Sequence, residues 1–356
     1  MTILKKLAVL VFSLAAASSV YAQDDIVLKD QHPVNYMVKQ GDTLWDIASR
    51  FLRDPWRWPD IWYVNPQIEN PHLIYPGDEV VLTYKDGKPQ LELRRAGAAP
   101  AAPGSADTTR TVKLSPEIRR QPLGEAVPVV PVEAISQFFS RPSVVRPGEL
   151  DGAAYIVSSQ EAHLIAGLGD KIYVRGLPES GPVRFNIVRA GKTYADRDGV
   201  ALGVEALHVG EAVVRKFGDP ATLEIVSLNR EALVGDKLMV ADERGADFDF
   251  VPHVPDSEIN ARVISLVDGL SRFGQYQVVV VGAGKEQGIN RGHVLAVYQS
   301  GGTVRDKVVK ESASLVALPD ERVGYLMVFR VFDKVSYGLV MKSERDMRLF
   351  DSVRKP

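Results

Sequence analysis

YMVKQGDTLWDIA (36–48) is the stretch on which the reading of the fold turns. Asn35 to Lys39 reads as a short strand with Tyr36 and Val38 on one face. Gln40-Gly41-Asp42 is a turn, and Asp42 or Thr43 caps the helix that follows; Thr43 and Asp46 stand at capping-box spacing. Leu44, Ile47, Ala48 and Phe51 recur at i, i+3, i+4 and i+7, which makes one apolar stripe. Asp54-Pro55 ends that helix, and Pro59 suits the first turn of a second one running through Ile61, Trp62 and Val64. Asn65-Pro66 stops it, because a residue before proline is steered out of the helical region. A loop with Pro71 leads to the turn Ile74-Tyr75-Pro76-Gly77-Asp78, and Glu79 to Tyr84 is the closing strand. The order is β-α-α-β. All four tryptophans fall inside it. Trp45 and Trp62 sit at helical positions that suit burial, whereas Trp56 and Trp58, flanking Arg57, either stack on a ligand or cap the small core.

At these residues the chain resembles the LysM family. Three blocks appear in order: YMVKQGDTLWDIA (36–48), IWYVNP (61–66) and LIYPGDEV (73–80). The resemblance implies binding of β-1,4-linked N-acetylglucosamine polymers, here the glycan strands of peptidoglycan. It places the site between the loop after the first strand and the loop before the last. The first loop supplies Gly41, Asp42, Thr43 and Leu44; the second supplies Asn65, Pro66, Gln67, Ile68, Leu73 and Ile74. Such turns expose backbone N–H and C=O groups to acetamido groups and offer an apolar wall to sugar faces. The chain departs from the family pattern at FLRDPWRWP (51–59), which is longer and more aromatic than the usual connection and bears on how open the groove is.

The flanking sequence sets the compartment. Lys5 and Lys6 precede an apolar run from Leu7 to Ala17, followed by Ser18-Ser19-Val20-Tyr21-Ala22, so residues 1–22 read as a signal peptide cleaved after Ala22. The run is too short for a permanent anchor, and periplasmic, wall-associated residence without a transmembrane anchor is the expectation. The absence of cysteine removes thiol chemistry, disulfides and a lipobox. A formal net charge of −2, with no Lys/Arg cluster, excludes nucleic acid as a partner.

The 356-residue chain has room for two or three domains. Residues 94–148 read as a Pro-rich linker, flexible over 94–110, continuing as extended segments (111–148) that carry Ile135, Phe138 and Phe139 against the next domain. From about residue 150, runs such as KIYV, YQVVVV and GYLMVFRVF alternate with Gly, Asp and Pro, which reads as nearly all β. TLEIVSLNREALVGD (222–236) aligns without a gap on YGLVMKSERDMRLFD (337–351), and GDKIYVRG (169–176) more loosely on GHVLAVYQ (292–299). The expectation is an α+β protein. It comprises a small βααβ LysM domain (34–84), the linker, and a β-rich C-terminal region of two related modules, 150–245 and 256–356.

No catalytic centre, metal site or cofactor is readable. Papain-like wall peptidases and L,D-transpeptidases need a cysteine nucleophile, and zinc peptidases need clustered ligands, whereas the six histidines are scattered. Tyr194 to Gly199 mimics a calcium loop but begins with tyrosine, and Val281 to Glu286 mimics a phosphate loop without its first glycine or its Ser/Thr. The reading is a non-catalytic wall-binding protein whose β region (150–356) engages another envelope component. A β-type wall hydrolase and a structural subunit of an envelope complex are the alternatives.

Overall fold

The computed structural model describes residues 26–62, 74–94, 126–131, 134–135, 138, 143–160, 165–241, 251–267, 271–306 and 315–356. The leader, residues 95–110 of the linker, and Asn65, Pro66, Gln67, Ile68 and Leu73 lie outside the described residues.

The N-terminal unit runs β1 (Asn35–Met37), α1 (Leu44–Phe51), a 3-10 turn (Pro55–Arg57), α2 (Trp58–Ile61), β2 (Glu79–Lys85) and β3 (Lys88–Arg94). Thr43 is the N-cap of α1, its hydroxyl oxygen accepting from the Asp46 N–H at 3.1 Å. The stripe Leu44, Ile47, Ala48 and Phe51 is buried, together with Trp45. The end of α1 is closed by the segment before the sheet, where the Lys29 N–H donates to the Phe51 carbonyl at 2.9 Å.

Two expectations are corrected here. The second helix is a single turn that starts at Trp58 and leaves Trp62 extended, so it does not run on through Trp62. The sheet is also longer than expected: β1 pairs antiparallel with β2, and β2 with a third strand, β3, joined through Asp86-Gly87. Residues 88–94 therefore belong to the sheet.

The C-terminal part holds two six-stranded barrels. The strands of the first region are β4 (Ser143–Val145), β5 (Tyr155–Ser159), β6 (Ile165–Ala166), β7 (Lys171–Arg175), β8 (Arg184–Ala195), β9 (Ala201–Lys216), β10 (Ala221–Leu228), β11 (Ala232–Leu233) and β12 (Lys237–Val240). The second comprises β13 (Asn260–Leu266), β14 (Arg272–Phe273), β15 (Val278–Val281), β16 (Val294–Gln299), the hairpin β17 (Thr303–Arg305) and β18 (Leu315–Ala317), β19 (Glu321–Val331), β20 (Ser336–Ser343), β21 (Met347–Arg348) and β22 (Ser352–Arg354). The first closes as β5-β7-β10-β9-β8-β12 and the second as β13-β15-β20-β19-β16-β22. The two circuits match strand for strand, and so do the small pairs β6–β11 and β14–β21.

Local detail matches as well. In each barrel one glycine, Gly210 or Gly324, sits so close to the neighbouring strand that an added Cβ would lie 2.2 Å from the Ser227 oxygen or 2.1 Å from that of Lys342. Both lie beside equivalent register shifts. Asp236 and Asp351 then close matching turns, accepting from the Leu233 and Arg348 N–H groups at 2.8 Å. The ungapped stretch 222–236 over 337–351 thus coincides with equivalent strands. The looser match does not: β7, at 171–175, corresponds to β15 in the circuit, and residues 292–299 contain β16, the counterpart of β8. Both candidate strands are apolar with a following polar residue, so composition alone could not distinguish them.

The second barrel is buried on two faces. Val279, Val281, Leu295, Val297, Leu326 and Val328 fill its interior. The alternating residues Val278, Val280, Val294, Tyr325, Met327 and Phe329 join an outer cluster shared with the LysM helices. That double burial explains why these strands read as unbroken apolar runs.

Candidate functional site

The described part of the site is built on two turns tied together by backbone. The Val38 N–H donates to the Asp78 carbonyl at 2.8 Å and the Gly77 N–H to the Val38 carbonyl at 2.9 Å. Each turn is closed by its own aspartate. Asp42 accepts from the Lys39 N–H at 2.8 Å and from the Tyr36 hydroxyl at 2.9 Å. Asp78, buried, accepts from the Tyr75 N–H at 3.0 Å. Gly41 has φ of 88°, a conformation that glycine adopts without steric cost, which explains its place at the tip.

Of the candidate residues, Gly41 is exposed and Asp42 half-buried, while Thr43, Leu44 and Ile74 are buried. The side chains of Leu44 and Ile74 therefore belong to the core, which leaves only their backbone for contacts. The N–H groups of Leu44 and Trp45 belong to the first turn of α1 and have no acceptor within the helix. The remaining candidates, Asn65 through Leu73, lie outside the described residues.

The groove between the turns is occupied by the chain itself. The Val127 N–H donates to the Ile74 carbonyl at 2.7 Å, the Leu44 N–H to the Pro128 carbonyl at 2.9 Å, and the Trp45 N–H to the Val129 carbonyl at 3.3 Å. Val127, Val129 and Val130 are buried there. The extended segment expected after the linker thus lies on the domain that precedes it, as well as on the barrel that follows.

Three of the four tryptophans are core, and Trp62 is half-buried against it. Trp45, Trp56 and Trp58 are at most 5% exposed, which removes Trp56 and Trp58 as sugar platforms. Trp56 instead packs on Tyr325 of β19, with ring centroids 4.4 Å apart. Beside it the Tyr276 hydroxyl donates to Asp46 at 2.8 Å. Burial, and then this bond to Asp46, pushes the Tyr276 hydroxyl up to about 12. Helix α1 is thereby fixed to the second barrel. An open cleft of about 550 Å³ lies between α1, β1 and the segment before β1, lined by Lys29, Gln31, His32, Pro33, Tyr36 and Arg50.

Elsewhere, folding brings His253 and His293 together, 4.8 Å between ring centroids, a pair that sequence spacing did not suggest. Among the described residues no group of three or more His, Asp or Glu is placed to hold a metal. The calcium-like stretch is a hairpin turn in which Asp196 accepts from the Asp198 and Val200 N–H groups at 2.9 and 2.8 Å.

A βααβ unit whose two turns close on each other in this way is a LysM domain, a module for N-acetylglucosamine-containing glycans such as peptidoglycan, here set beside two β-barrels. Comparison with known proteins agrees: residues 36–83 match the LysM domain family. The chain is also similar to YqbP, an uncharacterized protein of Bacillus subtilis (strain 168), at 41% identity over 58 residues, which cover 14% of this chain and 26% of that relative. The chain therefore spans about a quarter of that relative's length, and the likeness concerns one domain. No helix among the described residues is long and apolar enough to cross a membrane.

Proposed function

We propose that this is a non-catalytic, exported cell-wall binding protein. Its LysM domain engages the glycan strands of peptidoglycan, and its barrels engage another envelope component in the periplasm. The observation that carries the reading is the pair of facing turns, with the Leu44 and Trp45 N–H groups on one side and the Ile74 carbonyl on the other. An acetamido group presents one C=O and one N–H, and this pair of turns offers a partner for each. The proposed site comprises Gly41, Asp42, Thr43, Leu44 and Ile74, and the family's pattern extends it to Asn65, Pro66, Gln67, Ile68 and Leu73.

Co-sedimentation of the full mature chain with purified sacculi tests this. Binding that N-acetylglucosamine oligomers compete away supports it, and a folded chain that stays in the supernatant at every sacculus concentration, together with folded variants whose groove is freed, refutes it. Release of soluble muropeptides in the same tubes would point to the hydrolase alternative. One observation favours a second reading, the structural subunit. The LysM domain packs against the barrel through Trp56 and Tyr325, as a domain used for architecture would. Fixed-stoichiometry co-purification with an envelope partner, without sacculus binding, would favour that reading.

A further inference from the structure

The segment in the groove resembles a ligand in its chemistry. Val127 offers an N–H to Ile74, and Pro128 offers a C=O to Leu44. These are the two polar groups of an acetamide, presented to the same pair of turns. The third bond, from Trp45 to the Val129 carbonyl, uses up another free donor at the start of α1. Pro128 and Pro131 carry no N–H, so this strap cannot pair as an ordinary strand and bonds only where the groove supplies partners.

Both ends of the strap are held. On one side it is joined to Arg94 of β3 through residues 95–125. On the other, Ile135 and Phe138 are buried on the second barrel, Phe138 lying 6.1 Å from the rings of both Phe329 and Tyr337. The Arg330 guanidinium donates to the Phe138 carbonyl. A tethered segment faces its groove at an effective concentration on the order of millimolar, which no free ligand need match.

We infer that residues 126–131 are a built-in competitor for the LysM groove, and that glycan enters only by displacing them. This rests on the glycan reading above and adds regulation to it. The apparent affinity of the whole chain is lowered by the fraction of time the strap is docked. Anything that draws the strap towards the second barrel, such as a partner binding there, raises it.

The test uses the full chain and tetra-N-acetylchitotetraose. Val129→Asp puts a charge where the strap is buried, and Val127→Pro removes the N–H aimed at Ile74 together with a buried valine side chain. Native near-ultraviolet circular dichroism from the tryptophans confirms that each variant is folded. Calorimetric titration should show the variants binding on the order of tenfold more tightly than the unaltered chain. In the unaltered chain, saturating oligosaccharide should increase hydrogen exchange over 126–131. That second measurement needs no variant, so it stands even if neither variant folds. Equal affinities, with exchange over 126–131 unchanged on saturation, would overturn the strap proposal and leave the glycan reading intact. No binding by the unaltered chain or either folded variant would remove the glycan reading and the strap with it.

Discussion

Replacing Trp56 with alanine cuts an aromatic contact between the LysM domain and the second barrel. The side chain is 5% exposed and lies between Trp45, at 6.3 Å, and Tyr325, at 4.4 Å. A buried tryptophan removes about 150–250 Å² from water, which at roughly 25 cal/mol per Å² corresponds to about 4–6 kcal/mol. Substitutions of this kind cost about 3–5 kcal/mol in measured cores, so about 4 kcal/mol is expected. The neighbouring hydrogen bond from Tyr276 to Asp46 contributes only about 1 kcal/mol. It cannot hold the seam by itself. The loss should therefore fall on the LysM domain, and one cooperative transition should become two. Urea unfolding followed by tryptophan fluorescence, which reports the LysM domain alone because it contains every tryptophan, and by far-ultraviolet circular dichroism, which the barrels dominate, would separate the two. A loss below about 1 kcal/mol, with superimposable curves from the two probes, would refute the claim that Trp56 joins the units.

Three further outcomes follow. Burial, with His253 adding to it, holds the His293 imidazole down at about 4. The native ring stays neutral where the unfolded one takes up a proton, so this contribution is complete above pH 6.5 and is lost as pH falls towards 4, by about 3 kcal/mol at most. Urea midpoints at pH 7.5 and 4.5 should fall further for the unaltered chain than for His293→Asn. Arg189 makes two bonds, at 2.7 and 2.8 Å, to Asp236, which is 4% exposed. Arg189→Met should cost about 3 kcal/mol by leaving a buried carboxylate without its cation. Arg175→Met, which breaks the surface pair with Asp219, should leave the denaturation midpoint essentially unchanged. Gly210→Ala and Gly324→Ala should each destabilise by about 1–3 kcal/mol, since the new methyl meets backbone oxygen in both barrels. Thermal denaturation checks the pair, and a neutral result at either would separate the barrels' mechanics.

The LysM unit was legible because its rules are local. Thr43 before an i, i+3, i+4, i+7 stripe specifies α1, and Gly-Asp turns announce themselves. The third strand was missed although Asp86-Gly87, both at positive φ, is a strong two-residue hairpin signal; the Pro-rich stretch beyond drew attention instead. Val279 to Val281 showed that a strand existed but not that both of its faces are covered, because the covering residues lie about two hundred positions upstream. Trp56 and Trp58 could not be assigned from sequence for the same reason. The strap was the least legible feature: VPVVPV (127–132) reads as extended chain, and nothing in its pattern names the groove it enters.

The balance of the strap explains why an occupied groove remains compatible with binding. Burying three valines contributes about 2 kcal/mol each, and three backbone hydrogen bonds about 1 kcal/mol each. Ordering six residues costs about 1–1.5 kcal/mol apiece. The difference is about 0–3 kcal/mol, a docked-to-released ratio between roughly one and one hundred and fifty. A strap at the lower end of that range is a modest tax on glycan affinity, and one at the upper end closes the groove to any single weak site. Because the strap continues into Phe138 on the second barrel, a perturbation of about 1–2 kcal/mol there changes the docked-to-released ratio by roughly five- to thirtyfold. On the strap proposal, the barrels set how readily the LysM domain takes up glycan.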